Sequence, residues 1–135
     1  MKKALLAALL LAPALLAAEP PPPNDPPEVV ARLKQEAAAL EQQAKANPKD
    51  TELFVKLGFT YSRLKLADDA QRAFEAAVAL APKKAVAHYM LGLIYEKKGL
   101  RDRAIAAWKA CLETASDPQM RDTAERHLHH LGMQK

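Results

Sequence analysis

The feature that most constrains this chain is that it repeats itself. Residues 51–84 laid against residues 85–118 keep register over a period of 34. The first unit reads Phe54-x2-Leu57-Gly58-x2-Tyr61, then Ala70-x3-Phe74-x2-Ala77, then Pro82. The second reads His88-x2-Leu91-Gly92-x2-Tyr95, then Ala104-x3-Trp108-x2-Cys111. A period of this length marks one supersecondary unit copied along the chain, each copy burying its apolar face against the next. Leu57, Gly58 and Tyr61 share one helix face by steps of three and four. Gly58 and Gly92 fall inside helices, where glycine costs about 1 kcal/mol against alanine. That cost makes sense where a neighbouring helix passes close. Ala70 and Ala104 are small for the same reason, and Phe74 and Trp108 fill the space between helix pairs.

The pattern resembles the tetratricopeptide repeat (TPR) family, whose signature runs W-x2-L-G-x2-Y, A-x3-F and a closing P. The first unit departs from it only in Phe54 for Trp. The second has His88 for Trp, Trp108 for Phe, and Pro118 two residues late. The resemblance implies an all-α fold, an α-solenoid of antiparallel helix pairs (a TPR superhelix) with about six helices. Composition agrees, since alanine and leucine dominate and aromatics are only 5% of the chain. That favours close-packed helices over a sheet.

Local chemistry sets the boundaries. Asp25 is expected to cap a helix with Pro26 at its first position and Glu28 in its first turn. Val29, Leu33, Ala37, Leu40 and Ala44 mark its apolar stripe, so the helix spans 27–46, and Asn47-Pro48 closes it. It takes the place of a unit's second helix, without the first. Asp50 caps the first helix of unit 51–84, and Asp68 or Asp69 starts the second. The third helix runs from about Lys84 to Lys98, where Gly99 supplies a left-handed turn. Lys65 holds the equivalent place in the first unit. The fourth runs from about Arg101 to Thr114. After unit 85–118, residues 119–132 form a capping helix with Met120, Ala124, Leu128 and Leu131 on one side. Its other face carries Arg121, Asp122, Glu125, Arg126, His129 and His130, the polar surface that ends a solenoid. The repeat domain as a whole is 27–135.

Ahead of it, residues 1–18 read as a secretory signal peptide. Lys2 and Lys3 precede an apolar run, and small Ala17 and Ala18 precede Glu19, where polarity returns. The run is short for a membrane span of about 20 residues, so membrane contact is expected only where this segment is kept as an anchor. The signal carries no cysteine, which excludes a lipoprotein anchor. Cys111 is the sole cysteine and has no internal disulfide partner. Residues 19–26 are a proline-rich linker, and four consecutive prolines, Pro20 to Pro23, favour extended polyproline II. Export across an inner membrane implies the periplasm or cell envelope. Removing Lys2 and Lys3 leaves eighteen Lys+Arg against sixteen Asp+Glu, a net charge of +2. These charges are interleaved, which argues against nucleic acid as a partner.

Catalytic constellations are not apparent. The sequence has no glycine-rich phosphate loop, no G-x-S-x-G elbow and no H-E-x-x-H pair. The chain is therefore read as no enzyme and without a cofactor. Cys111 stands where the repeat takes a small apolar residue, which suits a buried structural thiol. His127 and His130 are three apart and can share a helix face. They are the candidates for an alternative, metal- or haem-handling role such as cytochrome maturation, which needs a third ligand.

What the resemblance does imply is a concave groove lined by the first helix of each unit, holding a protein or peptide partner. Carried over by position, the groove shows Glu52, Val55, Phe59, Ser62 and Arg63 from the first unit. From the second come Val86, Tyr89, Leu93, Glu96 and Lys97. Val55, Phe59, Tyr89 and Leu93 are the expected apolar anchors. Glu52, Arg63, Glu96 and Lys97 are the expected mixed-charge rim. Val55 and Phe59 replace the Lys and Asn clamp of chaperone-tail binders, so that ligand is not expected. The resulting reading is an exported adaptor or scaffold.

Overall fold

The computed structural model describes residues 20–132. The expected signal peptide, residues 1–18, lies outside the described residues. Six helices follow one another: α1 (Pro27–Ala46), α2 (Thr51–Arg63), α3 (Ala67–Leu80), α4 (Ala85–Lys97), α5 (Arg101–Thr114) and α6 (Pro118–His130). Each packs on the next in sequence, so the chain forms a helical stack. The units pair α2 with α3 and α4 with α5, flanked by α1 and α6.

The glycines explain the pairing. A Cβ added at Gly58 would stand 2.5 Å from Phe74 Cζ, and one at Gly92 would stand 2.5 Å from Trp108 Cε2. In each unit the second helix therefore lays an aromatic ring on bare backbone of the first. Phe74 and Trp108 are both fully buried, as are Ala70 and Ala104 beside them. The core runs from Val55 and Phe74 through Leu91 and Trp108 to Ala124 and Leu128.

Two turns have the same geometry with different residues. After α2, Leu66 N–H donates to Tyr61 O and Lys65 N–H to Ser62 O. After α4, Leu100 N–H donates to Tyr95 O and Gly99 N–H to Glu96 O. Both are Schellman closures, which place the residue after the cap in the left-handed region. Gly99 adopts φ 72° there at no steric cost, whereas Lys65 is held at φ 60°.

The links between units also repeat. Tyr95 Oη donates to Glu75 Oε1 at 2.7 Å, and Tyr61 Oη donates to Glu41. Both bonds join the second helix of one unit to the first helix of the next. Burial, then the Glu75 hydrogen bond, pushes the Tyr95 phenol up to about 12. Tyr61 is raised by the same causes, with Glu41 as the partner.

Some helix starts differ from expectation. Asp25 does not cap α1. Its N-cap is Pro26 with no side-chain cap bond, and Pro27 takes the first position. Asp25 instead accepts from Arg63 at 2.9 and 3.3 Å, a two-pronged charged pair to the far end of α2. The start of α3 is Leu66 rather than Asp68 or Asp69. Those acids sit in its first turn, where the helix dipole favours them, and Asp68 pairs with Lys98 across to α4. Asp50 caps α2 by accepting from Glu52 N–H at 3.1 Å, and Asp117 caps α6 by accepting from Gln119 and Met120 N–H.

The last helix shifts register. N-cap Asp117 stands 33 residues after N-cap Lys84, and buried Ala124 and Leu128 answer to Leu91 and Tyr95. This register puts Glu125 where Gly58 and Gly92 stand, so α6 offers a carboxylate instead of bare backbone to any further ring. Replacing Gly92 with alanine tests the ring-on-glycine contact. Helix propensity alone predicts a gain of about 1 kcal/mol, but overpacking of this kind costs about 1–3 kcal/mol. Urea denaturation of Gly92→Ala is expected to show a net loss of stability, and a gain would mean that Trp108 does not lie on that backbone.

Candidate partner-binding groove

The expected groove residues belong to α2 and α4, and their environments differ. Phe59 is 40% exposed and meets Phe74 edge-to-face, with ring centroids 5.3 Å apart. Leu93, its counterpart one unit on, is half-buried and packs on the core. Tyr89 is half-buried and stands edge-on to Trp108 at 5.2 Å. Val86 is partly buried against the same core, and Ser62 is half-buried at the end of α2. Val55 is a correction. It is 6% exposed and joins the core with Phe74, Ala87 and Leu91, so a partner does not reach it. The reason is steric. A small β-branched side chain at this position is overlapped by the next unit, whereas the longer Tyr89 at the equivalent place keeps part of its ring outside.

The expected rim charges are mostly engaged within the fold. Glu52 pairs with Lys84, tying the start of α2 to the start of α4. Arg63 pairs with Asp25 while its side chain stays 56% exposed. Lys97 is exposed at the end of α4. Glu96 is a second correction, because its work is structural. One oxygen, Oε2, accepts from the Trp108 indole N–H at 2.7 Å and lies 2.6 Å from His127 Nδ1. The His127 ring stacks on Trp108 with centroids 4.2 Å apart and planes 18° apart. A fully buried indole needs a partner for its N–H, and Glu96 supplies it. The first unit has no such need, since Phe74 replaces the indole and Ser62 replaces the carboxylate.

His88 also has a structural role. Its Nε2 donates to Pro82 O at 2.7 Å. Arg121, at the corresponding place in α6, donates to Ala115 O at 3.3 Å and to Leu112 O at 2.5 Å. His88 thus satisfies a carbonyl in the turn after α3, and Arg121 satisfies carbonyls at the end of α5. Cys111 is fully buried, and burial pushes its thiol up, away from the thiolate a nucleophile needs.

Sequence reasoning left α6 out of the groove, yet α6 follows α2 and α4 in the stack as the first helix of a third position. Glu96, Thr123, Arg126, His127 and His130 line an open cleft of about 430 Å³ between α4 and α6. It continues on one side past Asp122 and Gln119, and on the other past Arg101 and Leu131. The 33-residue step from Lys84 to Asp117 was the available signal, hidden by a search for a strict period of 34. The Glu41 and Glu75 acceptors were likewise visible as a pair 34 apart. His127 and His130 do share a side, but Glu96 takes up His127 Nδ1. Among the described residues, no group of three His, Cys, Asp or Glu side chains is arranged to hold a metal. No described helix is long and apolar enough to cross a membrane.

Comparison with known proteins agrees with this geometry. A family profile described as "Tetratricopeptide repeat" matches residues 51–84 and 85–118, half of the 135-residue chain. No curated protein matches the sequence. The shared acceptor suggests a direct test. Glu96→Ala leaves the buried indole N–H of Trp108 without its partner, a loss of about 1–3 kcal/mol. Guanidinium denaturation is expected to show that loss for Glu96→Ala, and to show at most half of it for Ser62→Ala at the equivalent place. Trp108 is the only tryptophan, so its emission reports the change without a label. An unchanged midpoint and unchanged emission would remove Glu96 from this role.

Proposed function

This chain belongs to the tetratricopeptide repeat family, and from that premise we propose that it is an exported adaptor of the periplasm or cell envelope. It binds a segment of another protein across α2, α4 and α6. Domains of this family generally bind proteins or peptides, and no reacting constellation is apparent among the described residues. The observation that carries the proposal is Phe59. A large apolar side chain 40% exposed on the first helix of a unit is held firmly by its edge-to-face contact with Phe74. The neighbouring Leu93 extends the apolar surface onto α4. A rigid aromatic anchor of this kind is what an interface uses for affinity. Export rests on the leader pattern of residues 1–18, and the proline run that follows serves as a spacer between the domain and the site of export.

The test uses the chain without residues 1–18 as bait in the envelope fraction of its own organism. Phe59→Ala combined with Leu93→Ala is expected to lose the captured partner while the helical circular dichroism is kept. The lost apolar contact should cost less than the 3–5 kcal/mol of a fully buried aromatic, because Phe59 is partly in water already. A folded double variant that still captures the same partner would move the interface to another face. N-terminal sequencing of the native protein is expected to begin at or near Glu19. A native chain that begins at Met1 would replace export by cleavage with retention of an anchor.

A further inference from the structure

The two units carry the same tyrosine–glutamate pair with different surroundings. In the second unit Tyr95 donates to Glu75, and the Arg103 guanidinium lies over the Tyr95 ring, 6.0 Å from its centroid. Lys98 bridges the same side by donating to Asp68 and Gln71. In the first unit Tyr61 donates to Glu41 in the same way. There the covering residues are replaced. One period back, Asp69 stands for Arg103, Leu64 for Lys98, and Ala37 and Ala38 for Gln71 and Arg72. An open cleft of about 260 Å³ results between α1, the end of α2 and the start of α3. Apolar Ala37, Leu64 and Leu66 line it with Tyr61, and Glu41, Asp69 and Lys34 supply its charges.

Charge follows the same contrast. The positions lining the cleft carry Glu41 and Asp69 against Lys34, a net of −1. The same positions one period on carry Arg72, Lys98 and Arg103 against Asp68 and Glu75, a net of +1. Two cations temper the acids of the cleft without covering the ring. Arg72 pairs with Asp69 while its own side chain stays 69% exposed. Lys34 makes no ion pair among the described residues. At the Tyr61 hydroxyl the acids prevail. Burial first, then the hydrogen bond and charge of Glu41, raise the phenol; Asp69 adds to them, and Arg72 opposes with the smallest effect. We infer that this cleft is a second contact site, which takes an arginine side chain of a partner protein over the Tyr61 ring and beside Glu41. The chain's own Arg103 shows the fit one unit on. A planar guanidinium lies on an aromatic face and donates to a carboxylate at its edge, which a compact ammonium does less well. The site is built from α1 and α3 with the end of α2, so it adds a contact on the second-helix side to the groove of α2, α4 and α6.

The experiment follows the tyrosine ring signals of the purified chain by NMR, with the rings isotope-labelled. The probes are N-acetyl-arginine methylamide and its uncharged counterpart, N-acetyl-citrulline methylamide. The Tyr61 signals are expected to shift with the arginine probe at millimolar concentration. The citrulline probe should bind about threefold more weakly, the scale of an exposed charge contact. Glu41→Gln keeps an acceptor for the Tyr61 hydroxyl and removes the charge, so it should erase that preference. Lys34→Gln removes a competing cation and should tighten the arginine probe. Asp69→Arg places a guanidinium where the second unit has one, and should leave Tyr61 without a response. Arg103→Ala should give Tyr95 the response that Tyr61 shows in the unaltered chain. Trp108 emission checks that each variant is folded. A Tyr61 ring that does not respond, or responds equally to both probes, overturns the arginine site. An unchanged response in folded Asp69→Arg overturns it too. Capture of the partner through Phe59 and Leu93 is measured separately, so the groove and this site stand or fall on different results.

Discussion

An aromatic ring pressed on the bare backbone of a glycine organises this molecule. Phe74 lies on Gly58 and Trp108 on Gly92, so close that a single added methyl would overlap the ring. The contact sets how near the two helices of a unit approach, and the small residues Ala70 and Ala104 follow from it. It also explains a glycine in mid-helix that local propensity disfavours. The propensity loss is distributed over two positions, and both positions return it through burial of the largest side chains in the core.

The substitution of an indole for a phenyl ring in the second unit had consequences beyond size. Phe74 buries no polar atom, whereas Trp108 carries an N–H into a place with no water. Glu96 answers it from α4, and His127 reaches the same oxygen from α6 while stacking on the indole. One carboxylate thus joins three helices. The same carboxylate was expected to be a surface charge for a partner. Its engagement inside the fold leaves it answering to the indole and the imidazole together.

The ends of the stack are written differently from its middle. On α6, Glu125 occupies the glycine position, and the helix turns acids and bases outward. On α1, Leu33, Ala37, Leu40 and Ala44 are buried toward α2 and α3, while Arg32, Glu36 and Gln43 stay exposed. A solenoid that buries its apolar faces only between neighbours needs such ends. Among the described residues three helices line the groove, with its apolar anchor on α2.

The sequence by itself determined the repeat, the helices and the core. Period and spacing are local properties, and Leu57, Gly58, Tyr61, Ala70 and Phe74 recur because each copy meets the same neighbours. Gly99 could be read as a left-handed turn because glycine is free to adopt one. That Lys65 takes the same conformation could only be inferred from its register, since a hydrogen-bond closure overrides its side chain's preference. Only the tertiary structure decided which side chains are left for a partner. Val55 and Phe59 are one helical turn apart on one face, yet the next unit covers the first and leaves the second 40% exposed. Asp25 reads as a helix cap until Arg63, distant in sequence, is seen to claim it. Glu96 reads as a rim charge until the buried indole is seen beside it. In each case a polar or apolar group satisfies the nearest partner in space, and sequence distance does not limit which partner that is.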